Sequence, residues 1–322
     1  MRTLAAALLT VAVSATELSQ LDFEFMMWAT KHQREYYNAE TYAFRKAEFA
    51  KKNAVYKAMN QVLTTSTVGH NQFSDWTVDE FEKILGYKEE TRSFSLRTKR
   101  LETNAIEYSV NWVTAGAVTP VKNQKTCGSC WSFSATGAME GAHFLASGNL
   151  VPLSEQQLVA CSYSYGDLGC MGGLMDNAFK YAETTAIDTE AQYPYTGWNS
   201  CSTCKLSTPG TVTVSSYYDV VANDPNQLKA AINLGPVSVA IQANQPVFQG
   251  YTGGIITANC GTNLDHGVLA VGYGIENGVE FYLVKNSWGA DWGEAGYVRI
   301  GIEAGAGVCG IQSGPPSQPT TN

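Results

Sequence analysis

Apolar residues in the first part of the chain recur at three- and four-residue steps. Leu21, Phe25, Trp28 and Ala29 form one stripe, and Phe44, Phe49, Tyr56 and Met59 a second, with Lys, Arg and Glu on the other faces. That spacing predicts helix across residues 17–60. Trp131, Ala135, Ala138, Ala142 and Leu145 repeat the pattern, and Gly148 supplies a stop, so a helix is predicted from Ser129. Leu264 to Gly274 is different: apolar, β-branched and glycine-spaced, it reads as a buried strand. Between these regions the polar stretch Glu89 to Thr103 has no apolar period and contains Arg97-Thr-Lys99-Arg100. It is expected to be an exposed, easily cut linker, with a domain boundary near residues 100–106. The tail from Gly314, Gly-Pro-Pro-Ser-Gln-Pro, is expected to be extended and unstructured.

At the start, Met1-Arg2, a short apolar run from Leu4 to Val13, and Ser14-Ala15 describe a signal peptide, residues 1–15. Secretory entry implies an oxidising compartment where cysteines pair. There is no Asn-x-Ser/Thr sequon, so no N-glycan is expected. No apolar run reaches the roughly 18–20 residues of a membrane span. Apolar residues make up 44% of the 322 and charged residues 16%, which excludes a disordered chain. A net charge of −8 argues against nucleic acid as a partner. The charge is uneven: residues 1–104 hold 14 Lys/Arg against 13 Asp/Glu, residues 105–322 hold 7 against 16.

The chemistry concentrates in Gln124-Lys-Thr-Cys127-Gly-Ser-Cys130-Trp131. A cysteine in the first turn of a helix has its thiolate favoured by free N–H groups and the macrodipole. A nucleophilic cysteine also needs an imidazole partner. Of four histidines, His32 and His70 lie in the N-terminal part. His143 is 13 residues along the Cys130 helix, about 20 Å away. His266 remains. Asn286, in Lys285-Asn-Ser-Trp288-Gly, can fix its tautomer, with Trp288 shielding that bond from water.

The Cys-Gly-Ser-Cys-Trp segment resembles that of the papain/cathepsin cysteine peptidases. So do Trp112 with Gly116-Ala-Val-Thr-Pro-Val-Lys-Asn-Gln124, Gly169-Cys-Met-Gly172-Gly173-Leu-Met175, Tyr193-Pro-Tyr195 and Gly235-Pro-Val-Ser-Val. The similarity covers roughly residues 20–314 and is greatest to the cathepsin L-like subgroup. It implies an α+β, papain-like two-lobe fold: a helical lobe, about 106–215, and a β-barrel-like lobe, about 216–308. These form a mature domain, 106–322, behind a helical inhibitory prosegment, 16–105. Cys130 would attack the peptide carbonyl, His266 would pair with it and protonate the leaving amine, and Asn286 would orient His266. Gln124 and the Cys130 N–H would bind the oxyanion. Gly172 and Gly173 would pair with extended substrate. Leu174, Met175, Ala240, Leu264 and Gly314 would line an uncharged S2 pocket suited to bulky apolar or aromatic P2 residues, with Trp288 nearby.

By the same resemblance the disulfides would be Cys127–Cys170, Cys260–Cys309, and Cys161 with Cys204 or Cys201, Cys204 being favoured because Lys205 follows it. Gly69, Asn71, Phe73 and Asp75 match a prosegment motif. Arg45, Phe49, Tyr56 and Asn60 match a helical motif in register, while Glu40 and Asn53 fall one residue out. A prosegment carboxylate such as Asp75 would then make activation accelerate on acidification. Lys125, where the family has Gly, puts a side chain at a position that can need positive φ, and Met171 replaces a usual Asn. No cofactor or metal is implied. Peptide and protein substrates, the chain's own prosegment as inhibitor, a monomeric state, and a lysosome-like, vacuolar or secreted destination are expected. The rival readings are a thiol–disulfide oxidoreductase using Cys127 and Cys130, half a zinc site at Cys201/Cys204, and an inactive binding homologue.

Overall fold

The computed structural model of the protein describes residues 18–88, 97–206 and 209–322. The expected signal peptide lies outside the described residues. The N-terminal helical pattern resolves into two helices, α1 (Gln20–Lys31) and α2 (Ala39–Met59). Each begins where a side chain caps free N–H groups: Ser19 with Asp22 forms a capping box, and Asn38 accepts from Thr41. Phe25, Trp28, Ala29 and Phe49 bury a small core between them. Phe44, expected on that stripe, is exposed.

The chain then gives β1 (Ser66–Val68), α3 (Val78–Glu82), β2 (Thr98–Lys99) and β3 (Val110–Asn111). The helical lobe follows with α4 (Cys130–Ser147), α5 (Glu155–Cys161) and α6 (Met175–Thr184). After it come β4 (Val214–Val220), α7 (Pro225–Leu234), β5 (Val237–Ile241), α8 (Pro246–Gln249), β6 (Tyr251–Ile256), β7 (His266–Glu276), β8 (Val279–Lys285), β9 (Tyr297–Gly301) and β10 (Ser317–Thr321). The strands run β1-β6-β9-β8-β7-β5-β10-β4-β2, with β3 on β7. Strands from the chain ahead of the helical lobe, β1 and β2, therefore stand at both ends of the sheet. One core joins α7, α8 and the sheet, and takes in Tyr56, Val68, Phe73, Phe81, Ile84 and Leu85 of the prosegment. A second surrounds α4, α5 and α6. The first twelve residues of α4 are buried, because that helix is packed between the lobes.

One expectation fails and a second is qualified. The C-terminal tail is not free: Ser317–Thr321 is a strand paired with β4 and, at Ser317, with β5. Its composition is that of a loop, but the Gln318 side-chain amide is buried and donates to the carbonyls of Ala231 and Gly235. Sequence alone shows polar residues there, not the orphan carbonyls that recruit them. Residues 97–100 of the expected linker are exposed, as their composition implied, but their main chain is paired. Thr98 and Lys99 pair in parallel with Asp219 and Val220, and Leu101 is buried. The rest of the expected linker, residues 89–96, lies outside the described residues.

The structure pairs Cys127 with Cys170, Cys161 with Cys204 and Cys260 with Cys309. Cys130 and Cys201 carry free thiols. Cys201→Ser is therefore expected to leave thermal stability unchanged, whereas Cys204→Ser should cost about 2–5 kcal/mol. Thermal unfolding of the two variants, with peptide mapping under non-reducing conditions, checks this.

Candidate active site

Cys130 is the first residue of α4 and is fully buried. Ser129, ahead of it, makes no side-chain cap, and its hydroxyl shares a 2.7 Å bond with the Tyr195 hydroxyl. The helix thus begins with uncapped N–H groups around the sulfur. His266 opens β7 in register with Ile241 of β5, on the opposite lobe. The two residues meet across the lobe boundary: the Gly267 N–H, one residue beyond His266, points at Cys130 Sγ at 3.4 Å.

Asn286 follows β8 directly. Its Oδ1 lies 2.8 Å from His266 Nε2 and accepts from the Ser287 N–H at 2.8 Å. An oxygen already accepting there requires Nε2 to carry the proton, which leaves Nδ1 for the sulfur side. Nδ1 is buried and has no hydrogen-bond partner among the described residues. Trp288 stacks on the imidazole, ring centres 4.7 Å apart, and is itself buried. His143 sits about 20 Å along α4 from Cys130.

Gln124 is fixed from behind by the Ser287 hydroxyl, which donates to its Oε1 at 2.7 Å. Its Nε2 donates to the carbonyls of Ile84 and Cys127, at 2.8 and 2.9 Å. Lys125 does take a left-handed φ of 56°, with its N–H donated to Asn123. The strain falls on an exposed residue and leaves the Gln124 amide seated.

Residues 84–87, within the expected prosegment, occupy the cleft with main chain. Gly86 donates its N–H to Cys130 Sγ at 3.2 Å and accepts from Gly173 N–H at 2.9 Å. Tyr87 N–H donates to the Asp265 carbonyl, and Tyr87 bridges Gly173 in parallel. A Cβ on Gly172 would fall 2.8 Å from the Gly86 carbonyl oxygen, so glycine lets the segment approach there, while a Cβ on Gly173 would fall 2.7 Å from the Trp131 ring beneath the loop. Tyr87 is buried in one cluster with Leu174, Met175, Ala240 and Leu264. A Cβ at Gly314 would lie 3.3 Å from the Tyr87 hydroxyl and 3.6 Å from Ala240 Cβ. Gly314, Leu264 and Ala240 thus meet beside the tyrosine hydroxyl. Trp288 stands apart from them, buried beneath Phe73 and Phe81.

The covered pair is electrostatically unlike the expected thiolate. Burial pushes the Cys130 thiol up to about 11, against N–H donation from Gly267 and Gly86. Burial likewise pushes His266 down to about 4, against its bond to Asn286. Beneath the covering segment burial favours the neutral thiol and the neutral imidazole, because an occupied cleft excludes the water that would solvate charge. Three contributors were not anticipated from sequence: Ser287, Asp265 and the segment Ile84-Leu-Gly-Tyr87. Asp265 and Ser287 adjoin expected residues, which was the available signal. The Cys127–Cys170 bond removes the resolving thiol an oxidoreductase would need, and Cys204, taken up with Cys161, is withdrawn from any zinc half-site.

Residues 106–318 match the papain family cysteine protease domain, and residues 25–81 match the cathepsin propeptide inhibitor domain. The chain belongs to the papain family of cysteine proteases and carries a propeptide. It is 42% identical over 315 residues to a probable cysteine protease, RD21C, of Arabidopsis thaliana, covering 93% of this chain and 69% of that one. It is 42% identical over 299 residues to digestive cysteine proteinase 3 of Homarus americanus, covering 90% and 92%. Among solved structures it is similar to digestive procathepsin L 3 of the Tenebrio molitor larval midgut. The TM-score is 0.83 at 36% identity, over 94% of this chain and 100% of that one. The protein is a cysteine-type peptidase in its zymogen form.

Proposed function

We propose that the protein is a secretory-pathway cysteine endopeptidase that is activated by acid and prefers apolar or aromatic P2 residues. In the uncovered cleft Cys130 Sγ, as thiolate, attacks the scissile carbonyl carbon. The oxyanion is held by the Gln124 amide and the Cys130 N–H. His266 delivers its Nδ1 proton to the departing amine, leaving an acyl-enzyme. His266 then takes a proton from water, which releases the acid and restores the thiolate. Asn286 keeps the imidazole in the required tautomer throughout. The observation that carries this reading is the Gln124 amide: it already grips a main-chain carbonyl, that of Ile84, beside the buried sulfur. Tyr87 among Ala240, Leu264 and Gly314 supports the P2 preference. Acidified proenzyme should cleave apolar- and aromatic-P2 peptides and Cys130→Ala should not. A library cleaved best with Arg at P2 would overturn the specificity.

Support for acid activation comes from His70 more than from a carboxylate. His70 stacks on Phe49 at 3.7 Å, and neither ring nitrogen has a partner among the described residues. Burial holds its pKa down at about 4, with Glu24 opposing and Lys57, Lys52 and His32 reinforcing that shift. A histidine buried neutral stabilises the folded prosegment fully above its free value of about 6.5, and that stability is lost as pH falls toward the folded value. Glu80, held at about 2 by hydrogen bonds from Arg45, loses its contribution only between about 4.5 and 2. Asp75 is buried and accepts from the Tyr36 hydroxyl. His70→Leu is expected to flatten the rise in processing rate between about pH 6.5 and 4. Processing followed by gel across that range checks it, and an unchanged profile would remove His70 from the account.

A further inference from the structure

Residues 97–101 sit in a surface built to receive them. The Arg97 guanidinium lies over the Tyr217 ring, 4.3 Å from its centre, and forms a two-pronged pair with Glu183. Lys99 lies 5.1 Å over the neighbouring Tyr218 ring. Arg100 approaches Asp224 at 3.7 Å. The main chain is read as well. Asp219 N–H donates to the Arg97 carbonyl, continuing the β4 edge. Gln227 grips Leu101 in both directions, its Oε1 accepting the N–H at 2.7 Å and its Nε2 donating to the carbonyl at 2.9 Å. Charge, ring faces and main-chain hydrogen bonds thus combine over five successive residues.

Every receiving group belongs to the peptidase domain. β2 is the last strand of the sheet, so its departure leaves β4 as a bare edge with two tyrosine faces and carboxylates beside it. An uncovered edge strand is a template for an added strand. We propose that in the processed enzyme this β4 edge is a docking site, separate from the cleft, for an extended basic segment of a protein substrate. The segment has the form Arg-x-Lys-Arg followed by an apolar residue, and residues 97–101 fill the site in the zymogen. The acidic excess of residues 105–322, 16 Asp/Glu against 7 Lys/Arg, suits such a partner. Glu183 stands eight residues along α6 from Met175, about 12 Å from the pocket end. Occupancy of the edge therefore leaves the cleft free and tethers a substrate to the enzyme.

The proposal rests on removal of the prosegment, and its test separates the two claims. Processed enzyme is first assayed on a small peptide substrate, which reports the peptidase reading alone. It is then inactivated by thiol alkylation, and its N-terminus is determined by mass. A fluorescent peptide of residues 95–103 is titrated into it. The expected result is an N-terminus beyond Leu101 and saturable binding in the range of roughly 1–100 μM. Binding should weaken at least tenfold in an E183Q/D224N variant, whose side-chain amide at position 224 keeps the oxygen that caps α7. It should also weaken on raising salt, since these pairs are exposed. Small-substrate activity of the variant should match that of the unchanged enzyme. Retention of residues 97–101 on the processed chain would overturn the proposal, as would absence of saturable binding at about 1 mM probe. Equal binding by the variant would overturn it too.

Discussion

Replacing Gly86 with alanine is expected to open the zymogen without acid. A Cβ at this position would fall 1.8 Å from the Gly128 carbonyl oxygen and 2.5 Å from its carbon. That wall cannot retreat: Gly128 donates to the Cys170 carbonyl and follows the Cys127–Cys170 bridge. The prosegment must lift instead. It then loses the Gly86 bond to sulfur, the Gly173 bond to Gly86 and the Gln124 bond to Ile84. Each such bond contributes about 1 kcal/mol net, and Tyr87 would leave its apolar pocket at a further cost of about 2 kcal/mol. Together these come to about 5 kcal/mol, a population of open cleft on the order of 10⁴-fold higher. The measurement is the alkylation rate of Cys130 in intact proenzyme at neutral pH, located by peptide mapping so that Cys201 is counted separately. A rate equal to that of the unchanged proenzyme would show that main-chain contact at Gly86 is not what closes the cleft.

Gln124→Ala is expected to act on catalysis and on inhibition together. The amide is buried, fixed by Ser287, and spends its hydrogens on two carbonyls. Losing one oxyanion donor typically lowers kcat by about 10²–10³ with little change in KM. The same truncation removes the grip on Ile84, so the variant proenzyme should expose Cys130 to alkylation more readily while its processed form turns over more slowly. Steady-state kinetics on an apolar-P2 peptide and the alkylation rate of the proenzyme read the two effects. A slower enzyme with an unchanged proenzyme rate would separate the oxyanion role from the prosegment contact.

Much of this was legible in sequence, for physical reasons. The Cys130 helix declares itself through its apolar spacing, and its stop through Gly148, which adopts the left-handed φ of 76° that ends the helix. His266 emerges because only four histidines exist and three are out of place. Asn286 follows from the need for a group that fixes the imidazole tautomer, whereas Gln124 needed the resemblance, since a glutamine is not informative alone. What stayed hidden depends on partners distant in sequence. The helical run 17–60 breaks at residues 32–38, where Gln33 takes a φ of 52°, and no proline or glycine marks the place. The tail forms a strand because buried carbonyls at the α7–β5 junction need the Gln318 amide. The stretch around Arg97 scanned as a linker because its apolar surface is supplied by Tyr217 and Tyr218 on another strand. The expectation of a thiolate rested on the helix terminus alone. It omitted the burial that an occupied cleft imposes.

The central claim is that Cys130 and His266 are neutral beneath the prosegment and become a thiolate–imidazolium pair once it leaves. The most direct measurement is the pH profile of Cys130 alkylation in the processed enzyme, in a Cys201→Ser background, with and without His266→Ala. The account predicts rapid alkylation extending down to about pH 5, and a shift of the His266→Ala profile up to the ordinary cysteine range near 8.5. A processed enzyme whose sulfur reacts only in that ordinary range, with His266→Ala making no difference, would contradict it.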